Sequence, residues 1–231
     1  MNTIEITLRD IIKYTFGDYK NVLMIATLML AISFFVNVSE IRSDIISPIS
    51  VIIVYILIFI EVGYGAEIIK TSYDGQNTTP KLIPTKELLK EGVKRTVIYV
   101  FYGLICILLY RLEQYFPFYS IESSVCDILI IVVTILMCLG IINRFLHNGK
   151  FSKAFNLKEM VMLYKKFKIK ELVYVIISML IGQAFVVSCL VDINPGFTII
   201  DAVLMVLTFF LAPLSLISTK RLIGLTFKRY V

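Results

Sequence analysis

Tryptophan is absent from these 231 residues, histidine occurs once, and four cysteines occur with no Cys-x-x-Cys pair. A single histidine, His147, removes most histidine-based acid–base chemistry. The cysteine spacing supplies neither a zinc site nor a disulfide framework. Charge is scarce as well. Asp, Glu, Lys and Arg make up 17% of the chain and hydrophobic residues 58%, against about 25% and about 45–50% in soluble domains. A soluble enzyme, a disordered chain and a nucleic-acid-binding domain are poor descriptions of such a sequence. No phosphate-binding glycine loop, Gly-x-Ser-x-Gly elbow, His-Glu-x-x-His helix or dinucleotide glycine pattern occurs. With no catalytic constellation, metal cluster or cofactor signature in view, the expectation is a protein that is not an enzyme.

What the sequence does contain is apolar length. A helix crossing hydrocarbon needs about 20 mostly apolar residues. Six runs approach that length: Asn21–Ser39; Ile45–Ile60, continuing past Glu61 to Ile69; Thr96–Tyr110; Ile128–Asn143; Leu172–Val191; and Ala202–Thr219. They predict an all-α bundle of six transmembrane helices, a single integral membrane domain over residues 1–231. The first run follows a mixed-charge segment and is not trailed by a small-x-small cleavage site, so it is read as a retained span.

The net charge of +6 averages two unlike faces. If the six runs cross the membrane, 21 of the 23 Lys and Arg residues fall on one side, leaving only Arg42 and Arg111 on the other. Basic residues accumulate in short cytoplasmic loops, which predicts a multi-pass protein of the cell membrane with both termini cytoplasmic. The basic face implies membrane lipids, anionic headgroups included, as partners, and no nucleic acid. With tryptophan missing, Tyr and Phe must form the interfacial belt, as at Tyr110, Tyr115 and Phe116.

The cytoplasmic segments before the first, third and fifth runs share a pattern. Leu8-Arg9-Asp10-Ile11-Ile12, Thr85-Lys86-Glu87-Leu88-Leu89 and Leu157-Lys158-Glu159-Met160-Val161 lie 77 and 72 residues apart. Each precedes a membrane run. Ile4, Leu8, Ile11, Ile12 and Phe16 share a helical face with Glu5, Arg9 and Lys13 opposite. Leu157, Met160, Val161 and Tyr164 follow the same period. Asn156 followed by Glu159 resembles a capping box, and Pro84 suits a first helical turn. All three segments are predicted to be amphipathic helices in the cytoplasmic interface, two of them over residues 4–16 and 157–168. The architecture is then a pseudo-threefold repeat of amphipathic helix plus transmembrane hairpin, with units of approximately 1–75, 76–150 and 151–231.

The stretch Gly63-Tyr64-Gly65-Ala66-Glu67-Ile68-Ile69-Lys70-Thr71-Ser72-Tyr73-Asp74-Gly75 leads through a Pro-containing loop to Leu88-Leu89-Lys90-Glu91-Gly92-Val93-Lys94. With Lys153-Ala154-Phe155-Asn156-Leu157-Lys158-Glu159, it resembles the uncharacterised archaeal multi-pass membrane-protein family called domain of unknown function 4013. Glu91 stands where that family usually has Asp, and Glu67 where it has Arg. The resemblance implies the membrane architecture and no particular activity.

Glu61 is the most informative polar residue, an acid inside an apolar run. Such groups face a bundle interior or a wet cavity and find a partner. Tyr64, Gly65 and Ile68 share its helical face, and Arg95, Arg144 and Gln183 are the candidate partners of this intramembrane polar site. Pro213 is expected to kink the last span. Two functions follow. The first is a non-enzymatic membrane scaffold or accessory protein. The alternative is a small-molecule or lipid transporter with Glu61 in a central cavity. An enzyme acting on lipid ranks third.

Overall fold

A computed structural model describes residues 3–39, 45–116, 121–165, 169–188 and 199–230. Among them all regular structure is helical: α1 (Thr3–Phe16), α2 (Tyr19–Ser39), α3 (Ile46–Tyr73), α4 (Lys86–Glu113), α5 (Ile121–Leu146), α6 (Leu157–Val161), α7 (Ile169–Ser188) and α8 (Ile199–Tyr230). Short 3-10 turns at Phe151–Phe155 and Met162–Lys165 flank α6. Five stretches of the described residues are long and apolar enough to cross a membrane: α2, α3, α4, α5 and the part of α8 from Phe209 to Lys228. These mark a multi-pass membrane protein. The remaining sequence-predicted run, Leu172–Val191, coincides with α7 up to Ser188 and ends outside the described residues.

The chain divides into two compact units, residues 1–93 with 177–230, and residues 94–176. In the first, α3 packs between α2 and α8, and α1 lies on α8. Ile25, Leu28 and Ile32 of α2 meet Tyr64 and Ile68 of α3 and Leu216 of α8 in one buried cluster. Glycine sets how closely these helices meet. A Cβ at Gly92 would overlap the Phe59 carbonyl of α3, and one at Gly224 of α8 would overlap the Ile69 carbonyl and Ser72. In the second unit, Cys106 Sγ of α4 stands 4.0 Å from Thr134 Oγ1 of α5, and α5 receives the Phe151–Phe155 turn against Gly140. A Cβ at Gly140 would overlap the Ala154 carbonyl. Phe155 stacks with Tyr102 of α4, ring centroids 6.0 Å apart.

The three lead-in segments differ. α1 is a helix of its own, ended by Gly17, and Asp18 caps α2 by accepting from the Asn21 N–H at 3.3 Å. The middle segment is not separate. It is the first part of α4, which runs unbroken from Lys86 to Glu113. Thr85 caps it, accepting from Leu88 N–H at 3.2 Å, so Pro84 stands before the cap and not in the first turn. No stop corresponding to Gly17–Asp18 exists here, because Gly92 is spent on the close approach to α3 and stays helical. The third segment is a single α turn, α6, followed by 3-10 geometry. Residues 166–168 of the expected 157–168 helix lie outside the described residues. Asn156 does cap α6, accepting from Glu159 N–H at 3.2 Å. The buried pair is Met160 and Leu163, while Leu157 and Val161 are exposed. A three-residue spacing fits the 3-10 turn, which brings i and i+3 into line.

Candidate functional site

The polar side chains of each unit gather where a transmembrane hairpin meets the segment that follows it. In the first unit, Asn21 of α2 donates through Nδ2 to Asp18, to Thr79 at 3.0 Å and to the Pro80 carbonyl at 3.1 Å. Tyr64 of α3 donates to that same carbonyl at 2.7 Å. One side chain from each helix therefore grips the backbone of the α3–α4 linker. In the second unit, Tyr102 of α4 donates to the Ala154 carbonyl at 2.9 Å, and Asn143 of α5 to the Lys153 carbonyl at 2.8 Å. Again one donor from each helix holds the following linker.

Beside Asn143 lies a charged group centred on Glu159. Lys153 and Asn143 donate to its carboxylate, and His147 Nε2 stands 3.6 Å away. The Lys153 hydrogen bond is the chief reason that the Glu159 carboxyl is held below the usual range, and the Asn143 bond adds to it. His147 Nδ1 also meets the Asn143 carbonyl at 2.8 Å, closing an α5 end in which Asn148 and Gly149 take left-handed conformations.

Glu61 is 7% exposed, among the side chains of the first unit. Lys220 of α8 is the cation within electrostatic reach of it. Lys220 is 5% exposed, and its aliphatic stem passes over Gly65, one helical turn from Glu61. A Cβ there would stand 3.2 Å from Lys220 Cε. Gly65 therefore leaves room for a lysine to lie along α3 toward the acid. Of the partners named from sequence, Arg95 and Arg144 are buried in the second unit and Glu61 belongs to the first. The Gln183 side chain lies outside the described residues.

The next residue on α8 forms a second charged site. Arg221 is 1% exposed. Its Nε donates to Asp10 at 3.1 Å, Nη2 stands 3.0 Å from the same carboxylate, and Nη1 donates to the Gln76 carbonyl at 2.5 Å. Its guanidinium also sits 4.1 Å from the centroid of the Tyr14 ring. One residue thus ties α8 to α1 and to the loop after α3. Charge counting leaves Lys220 and Arg221 simply among the 21 basic residues of one side. Their only local signal was adjacency to an apolar run.

Residues 46–193 match the family described as "Protein of unknown function (DUF4013)". The chain belongs to this family. No curated protein and no solved structure matches it. The DUF4013 region holds Glu61, Tyr64, Arg95, Tyr102, Asn143, Arg144 and Glu159, whereas Asp10, Lys220 and Arg221 fall outside it. Both linker grips therefore draw on DUF4013 residues, the first with Asn21 added from α2. Among the described residues, no group of three or more His, Cys, Asp or Glu side chains could hold a metal ion. Cys106, Cys126 and Cys138 are not joined in disulfides.

Proposed function

We propose that this DUF4013 protein is a scaffold or accessory protein of the cell membrane, without enzymatic activity. It crosses the membrane six times, with α7 as the fifth span and both termini on the cytoplasmic side. The observation that carries this reading is where the polar side chains go. Asn21, Tyr64, Tyr102 and Asn143 all donate to linker backbone, and Arg221 and Glu159 join neighbouring elements. Chemistry of this kind holds helices and loops together. The 21-to-2 division of basic residues supports the orientation.

The paired linker grips support the repeat architecture. Gly63 and Gly140 lie 77 residues apart, the offset that also separates Asp10 from Glu87. Each lets the second helix of its hairpin meet a backbone carbonyl of the chain that follows, at Leu88 of α4 and at Ala154 of the Phe151–Phe155 turn. The compact units overrun the repeat boundaries for the same reason, because each hairpin holds the start of the unit that follows.

One observation favours transport of a small molecule or lipid instead: an acid and a basic residue, Glu61 and Lys220, are both buried on the neighbouring helices α3 and α8. Glu61→Gln separates the readings. Under the scaffold reading it exchanges a buried carboxyl for an amide and lowers unfolding stability by about 1–3 kcal/mol. The proton permeability of vesicles containing the protein, followed with an entrapped pH-sensitive dye under a potassium diffusion potential, stays that of empty vesicles for both proteins. A flux present in the wild type and lost in a stably folded Glu61→Gln variant overturns the scaffold reading.

A further inference from the structure

The helix α1 is turned opposite to an ordinary surface helix. Its polar groups face the protein: Asp10 binds Arg221, Thr15 bonds Ser218 of α8 at 3.1 Å, and the Tyr14 hydroxyl stands 3.5 Å from Thr71 of α3. Ile11 and Tyr14 are buried with them. The outward face carries Ile12, 51% exposed, and Phe16, 63% exposed, flanked by the exposed cations Arg9 and Lys13. Exposed Tyr19 and Lys20 extend the same composition onto α2. The sequence had placed Ile11, Ile12 and Phe16 on one apolar face. In the fold that face is divided, Ile11 going to the bundle and the other two outward.

The contacts that hold α1 fix its level in the protein. Thr71 lies in the last turn of α3, and Gln76, held by Arg221, is in the loop beyond it. The outward face of α1 thus lies where an apolar helix ends and basic linkers begin. Asp10 is turned to the protein and paired with Arg221, while Glu5 is spaced in the sequence on the same stripe as Arg9 and Lys13. Arg9 and Lys13, with the exposed Lys20 of α2, outnumber that single acid, so the charge of this face is net positive. Apolar side chains bracketed by an excess of cations match a bilayer surface of anionic phospholipid.

We infer that the outward face of α1 is a contact site for anionic lipid, with Ile12 and Phe16 inserted among the acyl chains and Arg9 and Lys13 on the headgroup phosphates. This deepens the proposed reading, on which α1 lies at the membrane. The absence of native tryptophan allows a direct test. Phe16→Trp in the full chain is reconstituted into symmetric vesicles of phosphatidylcholine and phosphatidylglycerol in equal parts. The bromine quencher is carried on one lipid or the other. Quenching by brominated phosphatidylglycerol should exceed that by brominated phosphatidylcholine, corresponding to an enrichment of about fivefold for each basic residue. Adding Arg9→Gln and Lys13→Gln should make the two equal. Equal quenching in the parent overturns the inference. So does quenching by aqueous acrylamide with none from either lipid. Tyr19→Trp gives the same readout if Phe16→Trp does not fold. Because the vesicles are symmetric, an error in the cytoplasmic assignment of the termini leaves this result unchanged, and a negative result leaves the scaffold reading standing.

Discussion

Removing either partner of the Arg221–Asp10 pair should cost unequal amounts, and the smaller deletion should cost more. Asp10→Asn leaves the Arg221 charge in place, and at 1% exposure that guanidinium cannot reach water. It keeps the Gln76 carbonyl and the Tyr14 ring. The penalty for an uncompensated buried charge, about 3–5 kcal/mol, therefore falls at its lower end, about 3 kcal/mol. Arg221→Met removes the buried charge itself. The carboxylate left behind is 36% exposed and rehydrates, so the loss is that of the charged hydrogen bonds less this hydration, about 1–2 kcal/mol. The double variant should cost less than the sum of the singles, since the methionine removes the charge that the asparagine leaves stranded. Reversible unfolding of the reconstituted protein in mixed micelles of increasing dodecyl sulfate content would measure all four states of the cycle. Equal costs, the opposite order or strict additivity would refute this account of the site.

Other expectations follow from geometry already given. Gly92→Ala should destabilise by about 2–3 kcal/mol, because the new methyl meets the Phe59 carbonyl. Gly103→Ala, with nothing within 4 Å of its Cβ, should be neutral or stabilising by up to about 1 kcal/mol in the same assay. The Glu159 carboxyl is held low by Lys153 and Asn143, so its contribution is present above the ordinary glutamate range and is lost as pH falls through the depressed folded value. Glu159→Gln should flatten the acid side of a stability–pH profile and leave its alkaline side unchanged. In a background cleared of native cysteines, an impermeant thiol reagent applied to intact cells should label Tyr115→Cys and spare Lys81→Cys. Labelling of Lys81→Cys would invert or abolish the proposed topology.

Five of the six runs were legible as helices long and apolar enough to cross a membrane, because hydrocarbon imposes a length and a composition that neighbours cannot easily override. The separation of α1 from α2 was also legible, because Gly17 and Asp18 act locally as stop and cap. The continuity of α4 was not. Gly92 reads locally as a weak point in a helix, and only its approach to Phe59 shows why the helix continues. The short α6 was missed for a related reason: the apolar period at 157, 160, 161 and 164 is helical on paper, while tertiary packing selects 160 and 163. Glu61 was found from its setting alone. Lys220 was not matched to it, because 159 residues separate them and a lysine beyond an apolar run is ordinarily an interfacial anchor. Arg221 and Asp10 lie 211 residues apart, and nothing local to either announces the pairing.

The linker grips also set an order of events during synthesis. When the first hairpin has entered the membrane, the Asn21 amide and the Tyr64 hydroxyl both lack the Pro80 carbonyl until the linker follows. Tyr102 and Asn143 lack the carbonyls of residues 153 and 154 in the same way. Each hairpin is therefore completed by chain made after it. On this geometry, assembly from the N-terminal hairpin onward would pass through a half-satisfied intermediate at each of these two linkers. Arg221 closes the sequence late, drawing α1 onto α8 only after nearly the whole chain is available. A pause or an insertion between residues 76 and 85 would therefore be felt by a hairpin already in the membrane.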